Sequence, residues 1–188
     1  MEPTSEEYLE QVTIGPREKQ SGPIELVEYD PVWPELYARE EHRIRRALGE
    51  RALQVEHTGS TAVPGLAAKP IIDIVLVVED TTDEAAYVPD LEAAGYVLRI
   101  REPDWYEHRL FKGSDPAVNL HTFPARCEEV PKMLAFRDRL REDDEERELY
   151  ERTKRDLAAK DWDWVQHYAD AKTEVVNEIV ARATGANG

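Results

Sequence analysis

The spacing of apolar and polar positions changes period several times along this 188-residue chain. Between Val32 and Leu48, Leu36, Ile44 and Leu48 fall on one helical face among charged residues, which predicts an amphipathic helix. Asp30 is suited to cap it, with Pro31 at its first position. Ile24–Tyr29 ahead of it reads as a short strand. Ala52–Thr58 behind it reads as a second strand, ending at Gly59-Ser60. A loop of small residues, Thr61–Ala68, leads to Pro70–Val78, which is aliphatic and largely β-branched apart from Asp73. Such a run is expected of a strand covered on both faces. Thr82–Ala94 predicts a helix in which Pro89 can open a new turn, with Gly95 at its end. Tyr96–Ile100, Tyr106–Phe111 and Val118–Phe123 predict three further strands. Beyond Glu128 no strand period recurs, and helices are expected over Glu128–Arg141, Asp144–Lys160 and Trp162–Arg182.

This order predicts an α/β chain of the α+β type, a mixed sheet with helices packed on it and a helical C-terminal segment. Residues 1–22 are polar and carry Gly15-Pro16 and Gly22-Pro23. They are expected to form a flexible N-terminal arm with a short helix near Ser5–Gln11, and residues 23–186 one domain.

Composition narrows the setting. The single cysteine, Cys127, excludes an internal disulfide and a cysteine zinc cluster. No apolar run approaches a membrane span and the first residues do not read as a signal peptide, so a cytoplasmic protein without membrane contact is expected. Forty acids against 24 bases give a net charge of −16, and only seven of the bases are lysines. That surface repels nucleic acid and anionic membranes, and it suits a high-salt, halophilic cytoplasm or simply an acidic protein. Any phosphate site would have to be a local basic pocket in an acidic shell. Walker, Gly-x-Gly-x-x-Gly, His-Glu-x-x-His and Gly-x-Ser-x-Gly patterns are missing.

The chemically informative stretch runs from His57 to Val75. Gly59 lets a backbone approach a phosphate closely, and Ser60 adds a hydroxyl beside the freed amides of the turn, with Thr61 next to it. Lys69 stands at the far end of the loop, where its ammonium could meet the same anion. Asp73 lies in an apolar strand, where a lone carboxylate is costly unless it is paired or holds a cation. These residues point to a nucleotide or another phosphorylated small molecule, with Asp73 and Ser60 as candidates for the chemistry and His57 able to orient the ligand.

The run His57-Thr58-Gly59-Ser60-Thr61-Ala62-Val63-Pro64-Gly65-Leu66-Ala67-Ala68-Lys69-Pro70-Ile71-Ile72-Asp73 resembles the signature of the GrpB family. The likeness continues through Asp104–Phe111, Asn119–Phe123, Phe136–Arg141 and Tyr168–Lys172. That family is similar to the nucleotidyltransferase superfamily typified by DNA polymerase β. The resemblance implies that fold, and a Mg²⁺ ion held by Asp73 during nucleotidyl transfer to a small acceptor. In the superfamily the Gly-Ser pair is followed by an acid-x-acid pair. Here Ile71 and Val75 flank Asp73, so the pair is incomplete, and a non-catalytic nucleotide- or coenzyme A-related binding domain is the alternative. GrpB-like domains resemble partners of dephospho-coenzyme A kinase in fused chains.

Other positions are open to two readings. Asn119 and His121 share a strand face and either line a cleft or face solvent. Glu107 and Arg109 share another, favoured over His108 as the ligand side, against a plain ion pair. Lys172, four residues after Tyr168, is a candidate phosphate contact. Arg137 and Arg141 could reach a phosphate together or pair with neighbouring acids. The charge-rich stretch Glu128–Lys160 reads as a solvated helical face.

Overall fold

The computed structural model describes residues 4–17 and 23–185. Five strands form one mixed sheet in the order β1-β2-β5-β4-β3: β1 (Gln54–Thr58), β2 (Ile72–Val78), β3 (Val97–Glu102), β4 (His108–Ser114) and β5 (Ala117–Pro124). β2 runs parallel to β5 and antiparallel to β1, and the β3-β4-β5 meander is antiparallel throughout. The helices are α1 (Glu6–Val12), α2 (Trp33–Leu48), α3 (Val88–Ala93), α4 (Glu129–Glu142), α5 (Asp144–Ala158), α6 (Val165–Ala171) and α7 (Thr173–Thr184). This is the mixed α+β architecture expected from the element order.

The two faces of the sheet have different fates. Ile72, Ile74, Leu76 and Val78 of β2 join Leu120 and Phe111 in a core with Ile44 and Leu48 of α2 and Leu91 of α3. Each such fully buried aliphatic side chain contributes ~1.5–3 kcal/mol. Glu40 of α2 is fully buried here; Tyr96 donates its hydroxyl to it at 2.6 Å, and Arg43 lies 3.3 Å away. The other face carries Asp73, Asn119, His121, His108 and Lys112 at alternate positions and is only partly covered, by α4 and the C-terminal helices.

Several local expectations are corrected. Ile24–Tyr29 is no strand, because only Val27 pairs, with Ala68, in an isolated bridge. The helix expected from Val32 starts at Trp33, and Asp30 bonds the Val32 amide from just outside it. Thr82–Ala94 divides into a short 3-10 turn, Glu84–Ala86, and α3, with Pro89 in the first turn of α3. Trp162–Arg182 divides into α6 and α7 at Lys172. In the expected arm, Ser5 caps α1 and residues 4–17 lie against the body: the Ile14 amide bonds the Arg99 carbonyl, and the Thr4 amide bonds Asp170. Residues 1–3, 18–22 and 186–188 lie outside the described part. Among the described residues no helix is long and apolar enough to cross a membrane.

Candidate functional site

The partly covered face opens into a cavity of about 980 Å³ between the sheet, the Gly-Ser turn, α5–α7 and the α1 end of the chain. Its floor follows from strand pairing. Thr58 pairs with Asp73 and Asp73 with Asn119, while Lys112 of β4 pairs with Asn119 from the other side. Antiparallel return from β1 to β2 therefore delivers the Asp73 carboxylate beside the turn that follows Thr58. Gly59 holds φ +67°, a left-handed backbone that glycine adopts freely. A Cβ there would sit 2.5 Å from Asp73 Oδ2, so only glycine lets the two strands' ends close up.

Five of the chain's seven lysines line this hollow: Lys69, Lys112, Lys132, Lys154 and Lys172. Arg17 and Arg99 add to them, against the carboxylates of Asp73 and Glu129. Lys154 is 2 % exposed; its Nζ donates to Ser60 Oγ at 3.0 Å and to the Ala67 carbonyl. Burial, reinforced by Lys172, pushes Lys154 down to about 7. Burial likewise pushes Lys172 down to about 8, with Asp73 opposing. Lys69 and Lys112 are lowered by burial as well. The Lys172 ammonium lies 4.3 Å from the Tyr168 ring centroid and that of Lys154 5.0 Å from Tyr150, which lowers the cost of holding cations together.

Asp73 accepts from Asn119 Nδ2 at 2.7 Å, and His121 Nε2 stands 3.8 Å from the same oxygen. Burial works to raise its carboxyl, but His121, Asn119 and Lys69 outweigh that and hold it below the usual carboxylate range. Among the described residues no three His, Cys, Asp or Glu side chains gather as a metal-binding group. Asp73 by itself supplies a single carboxylate, so a metal ion there would need the ligand's phosphates as its other donors.

The structure gathers Gly59, Ser60, Thr61, Lys69, Asp73, Asn119, His121 and Lys172 around this cavity. It leaves others outside. His57 Nε2 bonds Thr61 Oγ1 at 3.0 Å, and its ring stacks on Tyr37 at 4.7 Å, so it braces the turn from the core side. Arg109 is on the opposite sheet face, bonded to Glu84 Oε1 at 2.7 Å, and Glu107 sits in the preceding turn at φ +50°. The favoured face of that strand is thus reversed: His108 is on the cavity side, because the pairing of β4 with β5 sets Leu110 opposite His121 and Lys112 opposite Asn119, and His108 alternates in step with them. Arg137 donates to the His57 carbonyl and Arg141 to the Ala62 carbonyl, at 2.9 and 2.8 Å, holding the turn from behind. Lys154 was missed, inside a stretch read as solvated. The available signal was its i+4 alignment with Tyr150 and Ala158, which makes one buried stripe on α5.

Residues 23–182 match the family model described as GrpB protein. A UPF0157 protein of Halalkalibacterium halodurans is 58% identical over 181 residues, covering 96% of this chain and 93% of that one. A dephospho-CoA kinase of Mycolicibacterium paratuberculosis is 43% identical over 86 residues, 44% of this chain and 21% of that one. The crystal structure of conserved protein GrpB from Enterococcus faecalis superposes with a TM-score of 0.75 at 31% identity, covering 86% of this chain and 98% of that one. The chain belongs to the GrpB family.

Proposed function

We propose that this chain binds a nucleotide or another phosphorylated small molecule in the lysine-lined cavity, in the cytoplasm. The observation that carries it is the convergence of five of seven lysines on one hollow in a chain of net charge −16. Four of them, Lys69, Lys112, Lys154 and Lys172, are pushed down by burial, and ammoniums held so are costly without an anion; a phosphate relieves that cost through charge-assisted hydrogen bonds. The Ser60 hydroxyl and the Ser60 and Thr61 amides of the turn supply further donors at the same place. The partial likeness to a dephospho-CoA kinase supports including coenzyme A and its precursor among the ligands.

The test is thermal melting with ATP, GTP, coenzyme A, dephospho-coenzyme A and inorganic phosphate, since a ligand that binds only the folded chain must raise its melting point. At least one of the organic phosphates is expected to stabilise the protein. No rise with any of them at millimolar concentration would end this reading.

Nucleotidyl transfer is a second reading, favoured by the contact between the Gly59 backbone and Asp73. Asp73 would hold one Mg²⁺ together with the phosphates of the ligand, and that ion would offset charge on the reacting phosphate. Release of pyrophosphate from a nucleoside triphosphate across a panel of acceptors, dependent on Mg²⁺ and lost in Asp73→Asn, is the outcome that would support it.

A further inference from the structure

The cavity has a second positive pole. β3 lies three strands from β2 across the sheet, which at ~4.8 Å per strand sets its backbone ~14 Å from that of Asp73. Arg99 of β3 lines the cavity at that end, and Arg17 reaches it from the segment that follows α1. Arg99 Nη2 donates to the carbonyl of Pro16, the residue before Arg17. The Arg17 guanidinium lies over the Trp164 ring, 4.0 Å from its centroid, and Nη1 donates to the Glu6 carbonyl at 3.3 Å.

Neither arginine meets a carboxylate. Most arginines of this acidic chain do, and among the described residues the exceptions are Arg17, Arg46, Arg99 and Arg126. Arg46 and Arg126 are exposed, where water solvates them, whereas Arg17 and Arg99 are half-buried in the cavity wall. Arg17 Nη2 and Arg99 Nε are buried with no hydrogen-bond partner. A guanidinium N–H left so is costly, and here two stand together. Glu6, whose carbonyl Arg17 reaches, uses its carboxylate to accept from Trp164 Nε1 at 3.2 Å. The positive field runs on from this pole to the lysines. Burial lowers Lys112, and Lys69 and Arg99 act in the same sense, against Asp73. Leu9, Ile100 and Leu110 give this part of the wall an apolar surface.

We propose that Arg17 and Arg99 form a second anion subsite, so that the cavity takes a small molecule with two separated phosphates. One phosphate lies at Ser60, Lys69 and Lys154. The other lies across the two guanidiniums, whose planar forks suit its oxygens. The ligand class is a bisphosphorylated sugar or nucleoside, with its less polar body against Leu9, Ile100 and Leu110. A contiguous diphosphate is too short to reach both poles. The joining of the poles by one ligand rests on the reading of the lysines as a phosphate site; the arginine subsite stands without it.

Titration of the full chain with inorganic phosphate, followed by nitrogen–proton NMR of the arginine Nε–H groups and of the Ser60 and Thr61 amides, reads each pole separately. Arg17 and Arg99 are expected to shift together and saturate at concentrations that leave Arg46 and Arg126 nearly unmoved. If Arg17 and Arg99 shift no more than Arg46 and Arg126, the result is an adventitious ion only, and the subsite is overturned. Saturation at the arginines with the Ser60 and Thr61 amides unmoved ends the lysine reading and the two-phosphate ligand, and leaves the arginine subsite standing. Arg99→Met is expected to weaken phosphate at Arg17 about tenfold and to leave the Ser60 response in place. The Ile14 amide bonds the Arg99 backbone carbonyl, so the segment keeps that anchor in the variant. An Arg17 response that survives Arg99→Met overturns the shared site. Fructose bisphosphate should raise the melting temperature more than fructose monophosphate or pyrophosphate at equal concentration, and lose that advantage in Arg99→Met. Equal shifts for the three compounds overturn the two-phosphate ligand.

Discussion

The Asp73 carboxylate occupies the space that a side chain on Gly59 would need: a Cβ there would lie 2.5 Å from Oδ2 and 2.9 Å from Asp73 Cβ. Gly59→Ala must therefore push β1 away from β2 or turn the carboxylate aside, and it also forces a left-handed backbone on alanine. Strain of this kind costs about 1–3 kcal/mol, which lowers the melting temperature by roughly 2–4 °C per kcal/mol in a chain of this size. Thermal denaturation checks this. A fully stable Gly59→Ala protein would mean that the two strand ends are not in contact.

Lys154 joins the turn to the helical half of the cavity through Ser60 Oγ and the Ala67 carbonyl. Lys154→Met removes a charge-assisted hydrogen bond to a bound phosphate worth about 1.5–3 kcal/mol, so affinity for the stabilising ligand should fall roughly ten- to a hundredfold. Calorimetric titration of the two proteins measures it. Equal affinities would place the phosphate elsewhere.

Lys154 also gives the free protein and its complex opposite pH dependences. Its value of about 7 lies below the ordinary 10.5, so between these pH values the unfolded chain holds the extra proton. Stability of the free protein should rise with pH across that window. Anion binding needs the ammonium, so the gain in melting temperature from ligand should shrink as pH climbs through 7. Melting curves with and without ligand at several pH values separate the two trends.

The acid side is set by His57 and His108. Burial pushes each from 6.5 down to about 4, so the unfolded state binds more protons between those values. Their contribution is complete above pH 6.5 and is lost as the pH falls toward 4. His57→Gln keeps a polar group near Thr61 without that titration. Its melting temperature should fall less steeply across the window than that of the parent chain.

Tyr96→Phe offers a control away from the cavity. It removes the hydroxyl that Glu40 accepts at 2.6 Å in the opposite core. Leaving a buried carboxylate short of a donor costs about 1–3 kcal/mol, so the melting temperature should drop while ligand affinity is unchanged.

The sequence by itself determined the elements and the stretch that matters. Uninterrupted β-branched apolar residues made β2 legible with Asp73 inside it, and Gly59-Ser60 marked the turn. Such local periods survive because each residue's preference is set by its near neighbours. Only tertiary structure decided which charges share the hollow. Lys154 lies 94 residues after Ser60 in the chain, and no short-range pattern ties them. The face of β4 that meets the cavity was decided by its pairing with β5, where Leu110 stands opposite His121 and Arg109 opposite Thr122; a slip of one residue in that register would turn every side chain over. His57 and Arg109, chemically suited to a ligand, were taken by the core and by Glu84, because a buried polar group bonds to whatever the fold brings nearest.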